Sequence, residues 1–328
     1  MTDLKKMHQT AIASLKHWDL PDQQPELIQH RENTVFRVED GAGNRFALRI
    51  HRRDYHSHSA LKSELDLMAM LARGRLSVPA PIATAEGALC GHIPTEGNGT
   101  RIVDLLSWLD GRSLGKTGEP LGISGDKRRE IFEAIGREMA RLHNLADEWT
   151  LPQDFCRPAW DCDGLVGDNP FWGRFWELEE LSVSETKLLN SARDHLRNSL
   201  QDLADSRLDH GIIHADLVRE NILIADDGVK FIDFDDCGFG FRLFDIATAL
   251  LKNSAEPDYA NLQDGLISGY RRERTLSDAG LACLPLFLMA RSFTYLGWVR
   301  DRRHEPGVAA RIPRLIADAV GRAELLVN

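Results

Sequence analysis

Residues Gly211 to Asp236, GIIHADLVRENILIADDGVKFIDFDD, place a His, an Asn and seven acidic residues in one stretch of strand-forming sequence. Apolar pairs such as Ile212–Ile213, Leu223–Ile224 and Phe231–Ile232 flank these charges. Carboxylates held beside buried strands are costly unless something compensates them. A solvated acidic loop would need no such strands, whereas a divalent metal and a transferring phosphate would need both. The stretch therefore restricts the chain to folds in which two short strands, joined by the turn Asp226-Asp227-Gly228, border a polar loop.

Within the stretch, His214, Asp216 and Asn221 occupy positions 1, 3 and 8 of HADLVREN, and Asp233 follows Asn221 by twelve residues inside the apolar FIDFDD. Phosphoryl transfer asks a protein for metal ions that neutralise the phosphates and for a carboxylate that orients a hydroxyl and accepts its proton. Asp216 is the natural base, and Asn221 and Asp233 carry the hard oxygens that suit Mg²⁺. Protein kinases use the same order of His-x-Asp, Asn and a strand-borne Asp. A lone His-x-Asp is usually a turn or cap, but the four-part spacing between apolar strands is far more specific.

The chain has 328 residues, 43% of them apolar and 27% charged, enough for a sizeable core in two lobes. A net charge of -10 argues against nonspecific binding to nucleic-acid phosphates. The five cysteines (Cys90, Cys156, Cys162, Cys237, Cys283) match no common zinc spacing and read as free thiols of a cytoplasmic protein. The first twenty residues lack the apolar core of a signal sequence, and LACLPLFLMA is half the length of a membrane span. No membrane association is expected, and nothing in the sequence specifies an oligomer.

Along the chain, ELIQHRENTVFRVEDGAGNRFALRIHR reads as two strands joined by the hairpin turn DGAGN. Period-2 geometry puts Arg49 on the face opposite Phe46, Leu48 and Ile50. SALKSELDLMAMLARG reads as a helix with an apolar stripe of Leu61, Leu65, Met68 and Leu71, bordered by Glu64. Two further strands, GALCGHI and TRIVDLLSWL, precede a connector at 106–111, and helices dominate the rest. The expected layout is a β-rich lobe over 1–106 and a larger helical lobe over 107–328.

At this point the chain resembles the aminoglycoside phosphotransferase and choline kinase-like superfamily, in the bacterial branch of stress-response kinases and type II homoserine kinases. The matching stretches are ENTVFRVE, FALRIHR, SELDLMAML with VPAP, LSWLDGRSL, REMARLHNLA, IIHADLVRENILI and FIDFDDCGFGFRLFDIATAL. The resemblance implies an α+β, bilobal protein-kinase-like fold. It also implies transfer of the γ-phosphate of ATP, with Mg²⁺, to the hydroxyl of a small metabolite of the amino alcohol or hydroxy amino acid type. A protein Ser/Thr kinase of the stress-response type and a catalytically silent nucleotide-binding scaffold are the alternatives. Residue by residue, Asp216 corresponds to the catalytic base and Asn221 and Asp233 to the metal ligands. Asp235 corresponds to a further acidic position, His214 braces the loop, and Asp245 corresponds to a buried Asp that holds the catalytic region. On its own, Asp245 reads equally as a helix N-cap.

Two positions depart from the pattern. Arg49 stands where a phosphate-contacting Lys is expected, with Glu64 as its ion-pair partner. Arg keeps the charge but is not equivalent to Lys, and an exposed strand Arg is the alternative. No G-x-G-x-x-G loop is present; RENTVF sits in its place, and the resemblance implies that Asn33 and Thr34 do part of that loop's work beside the phosphates. For the acceptor, Trp160, Phe171, Trp172 and Trp176 among Asp161, Asp163 and Asp168 suit either a cationic amine or an aromatic core. In RSFTYLGWVRDRRH, Arg291 and Tyr295 point either at the cleft or along a solvated helix face.

Overall fold

The computed structural model describes residues 3–20, 23–30, 33–53, 55–95, 99–123, 125–205, 208–305 and 307–327. In chain order the elements begin with α1 (Asp3–Ser14), β1 (Glu26–His30), β2 (Thr34–Glu39), β3 (Arg45–Ile50), α2 (His58–Arg73), β4 (Gly91–Thr95) and β5 (Gly99–Ser107). Then come β6 (Arg112–Ser113), α3 (Asp126–Glu148), β7 (Ala159–Trp160), α4 (Cys162–Val166), α5 (Val183–Asp205) and β8 (His210–Ile213). β9 (Ile222–Ala225), β10 (Gly228–Phe231), β11 (Gly238–Phe241) and α6 (Arg242–Leu251) follow. The chain closes with α7 (Tyr259–Glu273), α8 (Asp278–Leu281), α9 (Leu284–Arg302) and α10 (Ile312–Val327). The α+β expectation holds, with a sheet-rich N-terminal region and a helical C-terminal region.

Two compact units form. One comprises Met1–Gly111, Trp149–Cys156 and Lys230–Asp235; the other comprises Arg112–Glu148, Arg157–Val229 and Asp236–Asn328. In the first, an antiparallel sheet runs in the order β1-β2-β3-β5-β4. The sequence suggested two strands before α2, and the structure has three, because ELIQH also pairs, with a register irregularity between Leu27 and Gln29. The β2–β3 turn is fixed by Asp40, whose Oδ1 accepts from the backbone N–H groups of Ala42 and Asn44. One sheet face packs Phe36, Val38, Leu48, Ile50, Val103 and Leu105 against Met7, Ala11 and Leu15 of the N-terminal segment. A 12-residue helix is marginal alone in water, so α1 exists through this burial. The period-2 alternation turns Arg49 of β3 and Asp104 of β5 to the other face, as directly opposed cross-strand residues. The predicted stripe of α2 is buried, together with Glu64.

In the second unit, β11 pairs antiparallel with β8 and parallel with β7, while β6 pairs with β9. The strands expected around Asp226-Asp227 are β9 and β10. Helix α9 packs against α6 and α10 and is buried on nearly every side. Residues Asp278–Arg302 are long and apolar enough to cross a membrane, more than the short run in the sequence suggested, yet 67% of that apolar window is buried in the protein's own core. Helices α3 and α7 pack closely through glycine. A Cβ at Gly136 would stand 1.9 Å from the Leu266 carbonyl oxygen, and one at Gly269 would stand 1.9 Å from that of Glu133.

Those obstacles are backbone atoms, which cannot rotate aside, so Gly136→Ala must push two helices apart. It is expected to lose about 1–3 kcal/mol or more and to melt several degrees lower. Gly321→Ala on α10, where a Cβ meets nothing within 4 Å, is expected to gain roughly 0.5–1 kcal/mol. Thermal melting of the two variants beside the parent checks both signs.

Candidate active site

The loop after β8 is built on a left-handed residue. Ala215 has φ 66°, a conformation that a side-chain-bearing residue adopts only under constraint. The constraint is Asp245 in the first turn of α6. Its Oδ2 accepts from the backbone N–H of His214 at 2.8 Å, and its Oδ1 accepts from that of Ala215 at 2.7 Å. Asp245 is thus no N-cap, since Phe241 holds that position without a side-chain cap. His143 of α3 meets Asp245 through Nε2 at 3.1 Å and the Tyr270 hydroxyl through Nδ1 at 2.8 Å, all within the core. Burial, reinforced by the Arg242 charge, pulls His143 down to about 4. Asp245 stays below the usual carboxylate range, because bonds from His143 and the loop outweigh its burial.

Asp216 follows this turn. The buried His214 ring accepts the Asp216 backbone N–H through Nδ1 at 3.3 Å. The Asp216 carboxylate takes Nη2 of Arg291 on Oδ1 at 2.5 Å and the amide nitrogen of Asn221 on Oδ2 at 2.9 Å. Its side chain remains 21% exposed, whereas that of Arg291 is wholly buried. Burial pushes Asp216 up to about 6, against the pull of Arg291 and with the push of Asp236. Asn221 also donates to the Asp216 carbonyl, so its amide oxygen faces away from the carboxylate. The short turn carrying Asn221 is braced by Arg219, which is buried and bonded to Asn253 and Glu256.

Arg291 is stacked over Trp172 and Tyr295, at 4.6 and 4.5 Å from their ring centres. The solvated-face alternative therefore fails for Arg291 and Tyr295. Lys252, at the end of α6, sits 3.2 Å over the Tyr295 ring. Burial and the Arg291 charge bring Lys252 down to about 7. The aromatic and acidic stretch serves mostly the core. Trp160 is buried against Phe171, Trp172 and Phe244, Asp161 caps α4, and Asp168 pairs with Arg193 and Arg197.

The first unit holds the other candidates. Arg49 is buried, so it is no exposed strand residue. Its Nε and Nη2 fork onto Asp104 at 2.9 and 2.8 Å, and its Nη1 reaches Glu64 at 2.8 Å. His51 adds a 2.6 Å contact to Asp104. Burial would raise Asp104, but Arg49 and His51 outweigh it and hold the carboxyl well below the usual range. Asn33 accepts the Arg52 N–H through its side chain, and the Thr34 hydroxyl meets His30. Asp233 is exposed and left-handed at φ 67°, and the carbonyl of buried Asp235 meets His56 at 2.7 Å. Sequence reasoning missed Asp104 and Lys252. The signal for Asp104 was a lone carboxylate inside the apolar IVDLL; Lys252 gave none.

Fold and site together define a kinase-like phosphotransferase for small molecules. The family model described as "Phosphotransferase enzyme family" matches residues 25–278, and the chain belongs to that family. It is similar to the solved structure of a microcompartment-associated aminopropanol kinase, with 30% identity, a TM-score of 0.83, and coverage of 98% of this chain and 97% of the other. It is 31% identical to a homoserine kinase of Rhizobium johnstonii over 68% of this chain, a match that spans 63% of the relative's length. Identity to the amicoumacin kinase of Bacillus subtilis is 23%, over 90% of this chain and 86% of the relative.

Two predictions follow from the buried polar clusters. One ammonium cannot reproduce the three bonds of Arg49, so Arg49→Lys should lose stability, and Arg49→Met should lose roughly 3–5 kcal/mol by leaving two buried carboxylates uncompensated; urea unfolding ranks them. His143 has a depressed folded pKa, so its contribution is complete above its ordinary 6.5 and is lost as pH falls through about 4. Stability should drop by a few kcal/mol across that window at about 1.4 kcal/mol per pH unit, and His143→Gln should flatten the slope measured by denaturation at each pH.

Proposed function

We propose that the protein transfers the γ-phosphate of ATP to the hydroxyl of a small amino alcohol or hydroxy amino acid. The observation that carries this reading is Asp216: a carboxylate pushed up to about 6, fixed by Arg291 and Asn221, and still reachable from solvent. Such a group is ionised at neutral pH, oriented, and basic enough to accept a proton from an alcohol. Asp245 and His214 are the residues that hold the loop in position. The kinship with aminopropanol and homoserine kinases supports an acceptor carrying both an amine and a hydroxyl.

Mg²⁺ supplies neutralisation of phosphate charge in this chemistry. We assign it to hard oxygens: the Asn221 amide oxygen, turned away from Asp216, and the carboxylates of Asp233 and Asp235. Among the described residues no three His, Cys, Asp or Glu side chains form a protein-only cage. Mg²⁺ bound partly through phosphate oxygens and water requires no such cage. In the first unit, Arg49 presents two N–H groups beyond the three engaged by Asp104 and Glu64, and we assign these to phosphate oxygens. Glu64 keeps the guanidinium in place, and Asn33 and Thr34 line the same nucleotide.

Labelled ATP with Mg²⁺, offered to metabolite and protein fractions, tests the proposal. Label should enter a small molecule, and Asp216→Asn should reduce the rate roughly 10²–10⁴-fold. Label entering protein instead would indicate a protein kinase. ATP binding without any Asp216-dependent transfer would indicate a silent scaffold.

A further inference from the structure

The environment of Lys252 carries an inference about the acceptor that rests on the phosphotransfer reading. Lys252 is half-buried at the C-terminal end of α6, with its ammonium on the face of Tyr295. Its charge is felt by Asp216, Asp318 and Glu220, yet each of these is engaged elsewhere. Asp216 pairs with Arg291, Asp318 pairs with Arg322, and Glu220 accepts from the backbone and hydroxyl of Thr117. Lys252 makes no ion pair or hydrogen bond with any described residue. Beside it, Arg291 keeps Nε and Nη1 without hydrogen-bond partners. A half-buried ammonium seated on an aromatic ring with no anion of its own leaves a place for one, and an anion completes the arrangement.

Two anions come near a base of this kind: the transferring phosphate and an acidic group on the acceptor. The phosphates already have Arg49 and Mg²⁺ in the reading above. Lys252 belongs instead to the unit that carries Asp216 and shares its neighbour Arg291. Asp236, whose Oδ1 accepts from the Trp172 indole at 3.3 Å, adds negative charge beside Asp216 and suits an ammonium. We propose that Lys252 is a specificity-determining residue that binds the carboxylate of the acceptor, so that the substrate class is a hydroxy amino acid rather than an amino alcohol. The hydroxyl then faces Asp216, and the carboxylate faces Lys252.

Matched acceptors that differ only in the carboxylate test this: threonine against 1-aminopropan-2-ol, and homoserine against 3-aminopropan-1-ol. In the parent protein, kcat/KM should favour the carboxylate member by roughly tenfold or more, as expected for a charge-assisted contact. Lys252→Met should erase that preference through KM, and Lys252→Arg should restore much of it, which also shows that the fold survives. Preference for the amino alcohols in the parent protein would overturn the assignment. So would a Lys252→Met effect that is equal for both members of a pair and accompanied by a raised KM for ATP, which would place the ammonium on the phosphate. If the parent protein phosphorylates none of the four, calorimetric titration of the same compounds decides. A Lys252-dependent preference for the carboxylates then upholds the seat while the phosphotransfer reading falls, and no preference overturns the seat as well.

Discussion

The second unit depends on the grip of one carboxylate on two consecutive backbone N–H groups. Asp245 receives His214 and Ala215 together, and only with both bonds made does the left-handed Ala215 become tolerable. A left-handed non-glycine residue stores of order 1–3 kcal/mol, and two charge-assisted hydrogen bonds in a dry site exceed that. The geometry of Asp216 is therefore set from behind, by α6 and the core, and not by the solvent-facing side of the loop. His143 and Tyr270 extend the same chain of bonds into α3 and α7, the two helices whose close approach requires glycine at 136 and 269. Packing far from the loop thus reaches the candidate base through an unbroken polar path.

The two buried charge clusters solve opposite problems. In the first unit, Arg49 faces two carboxylates, Asp104 and Glu64, and His51 also contacts Asp104. A planar fork that reaches both acids is required there, and a single ammonium of the kind expected at this position could not span them. In the second unit, the fully buried Arg291 bonds Asp216 directly, while the half-buried Lys252 adds its charge without an ion pair. Here the cation nearest the carboxylate is confined between aromatic rings and cannot swing away. Asp216 is accordingly oriented by Arg291, while burial opposes the pull of that charge and raises the carboxylate's affinity for a proton.

How much of this was legible in the sequence depends on range. The α2 stripe, the β2–β3 turn and the strands around Asp226-Asp227 are short-range patterns, and they form where the periodicity places them. Strand β1 was missed because all five of its residues are exposed, so no alternation of apolar and polar residues marks it. Asp216, Asn221, His214 and Asp245 lie within about thirty residues of one another, and their spacing could be read. Arg291 joins Asp216 across a long separation, and Lys252 meets the same cluster through Tyr295. Periodicity could say that α9 carries polar residues, but not which of them turns inward. Asp104 was readable in principle, as a lone acid in an apolar strand, once its cross-strand partner was known to be an arginine.

The helix that delivers Arg291 explains why such a residue can sit beside the candidate base Asp216 without drifting. Helix α9 is apolar on nearly every side and buried between α6 and α10, so its axis is fixed by close packing. Trp172 and Tyr295 then bound the guanidinium, and Tyr295 also carries the Lys252 ammonium. One tyrosine ring thus supports both cations, and any movement that frees Lys252 also disturbs the partner of Asp216. On the proposed reading, discrimination between acceptors and alignment of the candidate base are properties of one packed cluster. A substitution that alters the acceptor preference through Tyr295 should also alter the turnover rate, whereas one confined to Lys252 acts on the acceptor alone.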